Sequence, residues 1–275
     1  MIVTVALVQL NTGDDTVAAT DILEGYIREA AGRGAQLIST PETSHLMEMN
    51  RKAVLQKASS EADDVGLKRL QALAAELKIW LHIGSLIIKI ADDRLANRGF
   101  LIADDGSIKA RYDKLHLFDI DLPNGESYRE SRLYEAGENA VLAETPFGTI
   151  ALTICYDLRF PHLYRRLAEA GADIIMVPAA FTVKTGEAHW HTLLKARAIE
   201  TGCYVLAAAQ TGKHATGRST YGHSLAVDPW GTVIADAKGS MGVTLVELDL
   251  AKVAETRLTM PSLGHKRAFG VKRTP

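Results

Sequence analysis

The sequence predicts an α/β fold in which two sheets, each covered by helices, form a four-layer α-β-β-α sandwich. Two observations support this prediction. Short apolar strands alternate with amphipathic helices along the chain, and one strand-helix-strand unit occurs twice. Thr4-Val-Ala-Leu7 returns as Thr149-Ile-Ala-Leu152, and the segment 34–41 returns as 171–178. We therefore expect one domain, residues 1–275, with an internal pseudo-repeat; a single doubly wound sheet is the alternative.

The first half begins with a strand over 3–10 and a helix whose apolar face carries Ile22, Leu23, Tyr26, Ile27 and Ala30. Two glycines end this helix, and a second strand follows over 35–41. A helix over 67–77 then leads into a strand over 79–88. The Asp-Gly pair at 105–106 predicts the turn of a hairpin that closes this half.

The second half repeats that order. A strand from Thr149 stops at Cys155, and a helix carrying Leu163 and Leu167 precedes the strand at 171–178. A helix over 190–200 leads into a strand over 203–209, and the Pro-Trp-Gly turn at 229–231 predicts a closing hairpin. The basic tail, 258–275, has no clear periodicity, and we expect it to lie across the surface or a partner subunit.

Composition excludes several classes of function. The net charge is -2 and no long run of Lys or Arg occurs, so we expect no nucleic-acid partner. The apolar start lacks the basic residues of a signal peptide, and no apolar run approaches the ~18 residues of a membrane span. The two cysteines, Cys155 and Cys203, argue against a disulfide framework and fit a cytoplasmic enzyme.

Cys155 is the residue with the most chemical information. It stands where a buried strand stops, and Asp157 and Pro161 after it predict a turn and a helix start. A thiol at such a bend is accessible to substrate, and the N–H groups of a helix start favour its thiolate. The alternative is an inert buried thiol. We expect that alternative for Cys203, which lies inside a predicted strand.

Glu42 and Lys114 complete a set of residues suited to amide hydrolysis. Glu42 ends a strand of the first half, and the repeat would bring it to a cleft shared with Cys155. Lys114 ends an alternating segment, where a solvated surface charge is the common interpretation. Glu42 would take the thiol proton, and Lys114 and the Tyr156 backbone N–H would stabilise the oxyanion. This chemistry implies no metal and no organic cofactor.

Three segments resemble the signature motifs of the nitrilase superfamily, the carbon-nitrogen hydrolases: Pro41-Glu42, the segment 112–116 and the segment 155–161. The resemblance covers essentially the whole chain. It implies the sandwich fold, catalysis by Glu42, Lys114 and Cys155 through a thioester, and a homodimer or larger homo-oligomer. It also implies a second glutamate that orders the site. Glu130 is the matching position for it, and Glu126 is the second choice.

Further segments resemble one branch of that family. The segments 180–190 and 195–204 are similar to amidases that act on small dicarboxylic monoamides. The segments 207–210, 221–224 and 227–231 are more similar to those that hydrolyse deaminated glutathione. The resemblance therefore implies that substrate, with α-ketoglutaramate, a nitrile or an N-carbamoyl amino acid as alternatives. A non-catalytic metabolite-binding protein is a remote alternative, because all three reactive residues are present.

A carboxylate-bearing substrate needs a cation beyond Lys114. Arg159, four residues after Cys155, is the candidate for a carboxylate fork, and a structural ion pair is an equally good interpretation. Phe181 and Thr182, just after a predicted strand, are expected to form a wall of the pocket and bind substrate.

The histidines give no metal site in this interpretation. Glu187, His189 and His191 could chelate zinc, but their segment sits before a predicted helix and runs into its start, and no cysteine or third histidine stands at ligand spacing. We therefore expect no metal. Arg218 and His223 are interpreted as a surface charge and a polar turn residue, without a chemical role.

Overall fold

The computed structural model describes residues 1–121, 125 and 127–274. Two 3-10 turns lie at Glu130–Arg132 and Cys155–Arg159. The strands and helices of these residues are, in chain order, β1 (Ile2–Gln9), α1 (Thr16–Gly32), β2 (Leu37–Ser39), α2 (Arg51–Lys57), α3 (Val65–Leu77), β3 (Trp80–Ala91), β4 (Arg94–Ile102), β5 (Ile108–Asp113), β6 (Asp119–Asp121), β7 (Ser127–Arg129), β8 (Val141–Thr145), β9 (Gly148–Leu152), α4 (Pro161–Glu169), β10 (Ile174–Met176), α5 (Val183–Thr201), β11 (Tyr204–Ala207), β12 (Thr211–Lys213), β13 (Ser219–Tyr221), β14 (Leu225–Val227), β15 (Val233–Asp236), β16 (Gly242–Asp249) and α6 (Ala251–Thr259).

The main strands form two six-stranded sheets, in the orders β16-β1-β2-β3-β4-β5 and β15-β14-β11-β10-β9-β8. In the first sheet β1, β2 and β3 are parallel, and β4 and β5 follow antiparallel. In the second sheet β9, β10 and β11 are parallel, and β14 and β15 follow antiparallel. The pseudo-repeat is therefore confirmed in the pairing of the strands, and the alternative of one doubly wound sheet is wrong.

The side chains of β1 show how the layers stack. Ala6 and Val8 face a core that also contains Leu23 and Ile27 of α1 and Leu70 of α3. The alternate residues Val3, Val5 and Leu7 belong to a second core that includes β9, β10 and β11 and the helices α4 and α5. Because successive side chains of a strand point to opposite faces, the two sheets face each other and their helices lie outside. The predicted α-β-β-α sandwich is confirmed.

Several predicted boundaries differ from the observed ones. Ile22 was placed on the apolar face of α1 but is 55% exposed, because the buried stripe is centred on Leu23, Ile27 and Ala30. Helix α5 begins at Val183, seven residues earlier than predicted. None of the helices in the described ranges has both the length and the apolar character needed to cross a membrane.

The tail starts as a helix and then lies against its own chain. Helix α6 continues to Thr259, so the first two residues of the predicted irregular tail are helical. Arg165 of α4 donates to the carbonyl oxygens of Ser262 and Leu263, and Lys266 pairs with Glu169 at 2.7 Å. The residues after it, up to 274, are exposed.

Gly84 lies where strand ends of the two halves approach each other. A Cβ atom at this position would lie 2.1 Å from the carbonyl oxygen of Thr40 and 2.4 Å from Cβ of Pro178. Only glycine permits such a close approach. Thr40 follows β2 and Pro178 follows β10, so this contact packs together the two segments that lead into the functional residues described next.

Candidate active site

A cavity of about 650 Å³ is lined by residues from both halves of the chain. Glu42 follows β2, Lys114 follows β5, and Cys155 follows β9, so each stands directly after or shortly after a strand. The structure therefore brings together the three residues that the sequence predicted for catalysis. Strand ends are where open α/β sheets bind ligands.

The backbone at Cys155 is held in an unusual conformation. Its φ is +48°, a region that non-glycine residues occupy at an energetic cost and that is enriched at functional sites. The Cys155 N–H donates to the carbonyl oxygen of Pro178 at 2.9 Å, and the Ile154 N–H donates to Oδ2 of Asp157 at 2.8 Å. These two bonds fix the sharp turn after β9, and Cys155 on this turn forms part of the cavity wall.

The thiol of Cys155 is neutral in this structure. Burial and the nearby Glu42 carboxylate raise its pKa well above the usual range. The prediction that helix N–H groups favour a thiolate is therefore wrong for this state. The turn at Cys155 is of the 3-10 type and α4 begins only at Pro161, so no full α-helical N-terminus faces the sulfur. The thiol needs a base in order to react.

Glu42 is the base that the geometry offers. Its Oε1 accepts from Nζ of Lys114 at 2.9 Å, and its Oε2 accepts from the Ala180 N–H at 2.8 Å. Burial would raise the pKa of Glu42, but the Lys114 ammonium outweighs burial and holds that pKa below the usual range. Glu42 is therefore ionised at neutral pH although it is only 4% exposed.

Lys114 is a permanent cation in this arrangement. Burial would lower its pKa, but the carboxylates of Glu130 and Glu42 outweigh that effect and raise the pKa well above the usual range. The side chain is 2% exposed. The interpretation of Lys114 as a solvated surface charge is therefore wrong, because the ammonium lies buried between two carboxylates.

Glu130 belongs to the same group of residues. It accepts from Nζ of Lys114 at 2.9 Å and from the Phe118 N–H at 2.6 Å. Asn97 of β4 donates from Nδ2 to Oε1 of Glu42 at 2.9 Å and to Oε1 of Glu130 at 3.2 Å. Sequence reasoning missed Asn97, because β4 also contains Arg94 and Arg98 and nothing in the strand singles out the asparagine. The second choice for the ordering glutamate, Glu126, lies outside the described residues.

Asp157 connects two of the sequence motifs. Its carboxylate is fully buried and accepts from the Tyr112 hydroxyl at 2.7 Å, from Nδ1 of His116 at 2.7 Å and from the His116 N–H at 3.1 Å. With the bond from Ile154 described above, one carboxylate thus joins the segment of Lys114 to the turn of Cys155. This explains in structural terms why Tyr, His and Asp accompany the lysine and the cysteine.

The other predicted site residues divide into two groups. Tyr156, Phe181 and Thr182 line the cavity, as expected. The Tyr156 N–H belongs to the first turn after Cys155, where N–H groups have no intrahelical acceptor. Arg159 is not among the described residues of the cavity wall. Its guanidinium lies over the Phe181 ring, 5.2 Å from the ring centre, and contacts Nδ1 of His189 at 3.3 Å.

Arg218 lines the cavity instead. It lies just before β13, and its Nη2 donates to the carbonyl oxygen of Ala180. Its charge also helps to hold the pKa of Glu42 low, after the larger effects of burial and Lys114. The interpretation of Arg218 as a surface charge is therefore wrong. Its position depends on the pairing of β12 with β13, which sequence spacing does not reveal.

The histidine segment is arranged differently from the prediction. Glu187, His189 and His191 lie inside α5 rather than before a helix. His191 meets His223 and Asp236, and these three are a group that could hold a metal ion. Sequence spacing did not predict this, because the fold brings His223 from a separate segment. The ammonium of Lys238 lies 2.7 Å from Oδ2 of Asp236, so that carboxylate already forms an ion pair with a lysine.

Cys203 lies in the core, as expected. It is fully buried, and its Sγ donates to the carbonyl oxygen of Ala172 at 3.1 Å.

The chain is similar to known proteins of one family. The carbon-nitrogen hydrolase family model matches residues 4–258. The deaminated glutathione amidase of Yersinia enterocolitica is 40% identical over 266 residues, which cover 96% of this chain and 92% of that protein.

Two solved structures extend the comparison. The crystal structure of the Caenorhabditis elegans NitFhit protein superposes with a TM-score of 0.91 at 36% identity, covering 97% of this chain and 65% of that one. A mutant of the amidase from Nesterenkonia sp., in which acrylamide has added to the active-site cysteine, superposes with a TM-score of 0.79 at 25% identity. It covers 94% of this chain and 98% of that one.

Proposed function

The chain belongs to the carbon-nitrogen hydrolase family and is an enzyme of that family, and from this premise we propose a cysteine-dependent amidase mechanism. The observation that carries the proposal is that Cys155, Glu42 and Lys114 lie on the wall of one cavity, where Lys114 donates to Glu42 and the Glu42 carboxylate is close enough to raise the pKa of Cys155. Cys155 is the nucleophile, Glu42 the general base, and Lys114 the donor to the oxyanion. The cysteine adduct in the Nesterenkonia amidase is a supporting precedent in a relative.

The first half of the reaction acylates the cysteine. Glu42 accepts the proton of the Cys155 thiol as Sγ attacks the amide carbon, so a neutral thiol becomes nucleophilic only in contact with substrate. The oxyanion forms next to Lys114 and the N–H of Tyr156. Because its raised pKa keeps Lys114 protonated, this residue stabilises charge and does not act as a base. The protonated Glu42 then gives its proton to the leaving nitrogen, and a thioester remains.

The second half of the reaction hydrolyses the thioester. Glu42 takes a proton from a water molecule as that water attacks the thioester carbon, and the same two donors stabilise the second oxyanion. The thiolate leaves and recovers its proton from Glu42, which restores the starting state. One carboxylate can serve both steps, because the Lys114 ammonium and the Ala180 N–H hold it in place.

We propose deaminated glutathione as the substrate, with α-ketoglutaramate as the second candidate. The name of the Yersinia relative supports the first choice. Cleavage of the γ-amide of deaminated glutathione would give a dicarboxylic keto acid and a dipeptide, whereas α-ketoglutaramate would give the same keto acid and ammonia. A preference of tenfold or more in kcat/KM, about 1.4 kcal/mol in transition-state binding, decides between them. A best rate on a nitrile or an N-carbamoyl amino acid would contradict both.

Replacement of Cys155 tests the mechanism. We expect Cys155→Ala to abolish amide hydrolysis and to leave the unfolding midpoint close to that of the unmodified protein. Mass spectrometry of the unmodified protein, quenched during turnover, should show the acyl adduct on the peptide that contains Cys155. Near-normal turnover by Cys155→Ala would contradict the proposal.

We also propose a homodimer or larger homo-oligomer in the cytoplasm. Ile199 of α5, Trp230, Leu258 of α6 and Met260 are each more than half exposed, although all are large and apolar. Ile199 packs beside the turn of Trp230 and lines a groove with Met260, so these three residues form one patch. Patches of this kind mark contacts between proteins. Sedimentation that shows only a 30 kDa species at micromolar concentration would contradict this.

A further inference from the structure

The guanidinium of Arg218 is held in place without a carboxylate partner among the described residues. Its Nη2 donates to the Ala180 carbonyl, its carbon lies 5.5 Å from the centre of the Tyr128 ring, and its Nε is buried without a hydrogen-bond partner in the described part of the chain. A buried donor without an acceptor is costly, and a charged one more so. Such an arrangement is suited to an anion that arrives with the substrate.

From this geometry we propose that Arg218, with the ring of Tyr128 beside it, forms a subsite for a carboxylate on the acyl part of the substrate. The proposal rests on the amidase function and extends it, because it names the group that distinguishes the substrate from a simple amide. An arginine is suited to this task, since its planar fork can donate two parallel hydrogen bonds to one carboxylate.

The charges around the reacting group explain why such a subsite is needed. Lys114 carries one positive charge, and Glu42 and Glu130 each contact it with a carboxylate. These three groups together carry a net charge of about -1 when both glutamates are ionised. They would repel an anionic substrate, so binding requires a further cation near them. Arg218 is close enough to lower the pKa of Glu42.

The other arginines near the cavity are less suited to this role. Arg129 lines the cavity but pairs with Asp121 at 2.7 Å. Arg51 and Arg132 also line it, but both are exposed, where water weakens a charge pair. Arg159 is not among the described residues of the cavity wall, and its guanidinium lies over the ring of Phe181. Among the described residues, Arg218 is therefore the arginine that lines the cavity, is half-buried and has no carboxylate partner.

Two substrates of equal length test the proposal. Glutaramate carries a carboxylate at the end of its chain, and valeramide has a methyl group at that position. We expect Arg218→Gln to lower the ratio of their kcat/KM values by about 10- to 100-fold, the range for loss of a charge-assisted hydrogen bond. Arg218→Lys should restore part of the ratio, because it keeps the charge but loses the fork. Arg159→Gln is the matched control and should leave the ratio unchanged.

The results for Arg218→Gln and Arg159→Gln decide whether the carboxylate subsite lies at Arg218. An equal loss on both substrates in Arg218→Gln would mean that Arg218 acts only through Ala180 and Glu42, and would overturn the subsite. A fall of the ratio in Arg159→Gln alone would move the subsite to Arg159. If the unmodified protein hydrolyses neither these two amides nor deaminated glutathione and α-ketoglutaramate, the proposed function fails separately. Calorimetric binding of glutarate then tests the subsite, with weaker binding by Arg218→Gln supporting it and equal binding overturning it.

Discussion

Oε2 of Glu130 lies 2.9 Å from Nζ of Lys114, so the buried ammonium is held by a second carboxylate in addition to Glu42. Burial lowers the pKa of Lys114, and among the charged groups that together raise this pKa and outweigh burial, Glu130 has the largest effect. Its own position is fixed by the N–H of Phe118. Glu130 therefore acts on the pKa and position of Lys114 rather than through direct contact with substrate, and this effect can be measured.

We expect Glu130→Gln to lower kcat/KM by about 10- to 100-fold, because the amide keeps the shape but loses the charge that orders Lys114. Removal of that charge lowers the pKa of Lys114. Since the protonated form of Lys114 is the active one, the alkaline limb of the pH-rate profile should move to lower pH. Glu48→Gln, which removes a cavity-wall carboxylate paired with Lys57, is the control and should leave that limb in place.

Replacement of Lys114 by arginine should leave the enzyme nearly inactive although the charge is kept. The ammonium is 2% exposed and bonds to both glutamates, and a planar guanidinium cannot occupy that space in the same geometry. Loss of one oxyanion donor costs on the order of a hundredfold or more in rate. Single-turnover kinetics measures this loss directly, and a defect smaller than tenfold would give Lys114 a structural role.

Much of the fold could be predicted from the sequence because the strand-helix-strand unit is local and occurs twice. The echo of 34–41 in 171–178 predicted two related halves, and strand pairing confirms them. Glu42 and Cys155 could be predicted to meet for the same reason, since both stand at strand ends. The extent of helices was harder to predict, because α5 begins at Val183 in a segment without a strong apolar period.

The rest of the site depends on contacts between segments far apart in the chain. Asn97 lies 55 residues from Glu42 in the sequence, and no local pattern relates the two. Proximity in sequence favoured Arg159, which is not among the described residues of the cavity wall, whereas Arg218 lines the cavity next to the paired strands β12 and β13. The state of the thiol also depends on burial, which sequence spacing does not measure.

Alkylation of Cys155 should be slow at neutral pH and accelerate as the pH rises beyond the ordinary range for a free thiol. The reason is the raised pKa, since only the thiolate reacts and burial and Glu42 keep the thiol protonated. Glu42→Gln removes one of those two causes, so the rise in rate with pH should begin at a lower pH. Iodoacetamide labelling measured from pH 6 to 10 checks both, with Cys155→Ala as the background. A rate that levels off near pH 7 would contradict the assignment.

Removal of divalent metals should leave amidase activity unchanged, because the thiol and Lys114 supply the nucleophile and the charge. The group formed by His191, His223 and Asp236 makes this worth testing, since it could hold a metal ion. Activity before and after dialysis against a chelator, with metal analysis of both samples, provides the measurement. The expectation would be contradicted if the chelator caused a loss of activity that zinc restores, and if His191→Gln showed no such loss.

Substitution of Asp157 by asparagine should destabilise the protein and impair the site together. The carboxylate accepts four hydrogen bonds from Tyr112, Ile154 and His116, and an asparagine would turn its NH2 group toward some of these donors. We expect a loss of about 2–4 kcal/mol in the free energy of unfolding, as for other disrupted buried polar networks. Urea unfolding measures it. The control is Asp121→Asn, which removes an exposed partner of Arg129 and should cost less than about 1 kcal/mol. Equal effects of the two substitutions would mean that Asp157 does not hold the two motifs together.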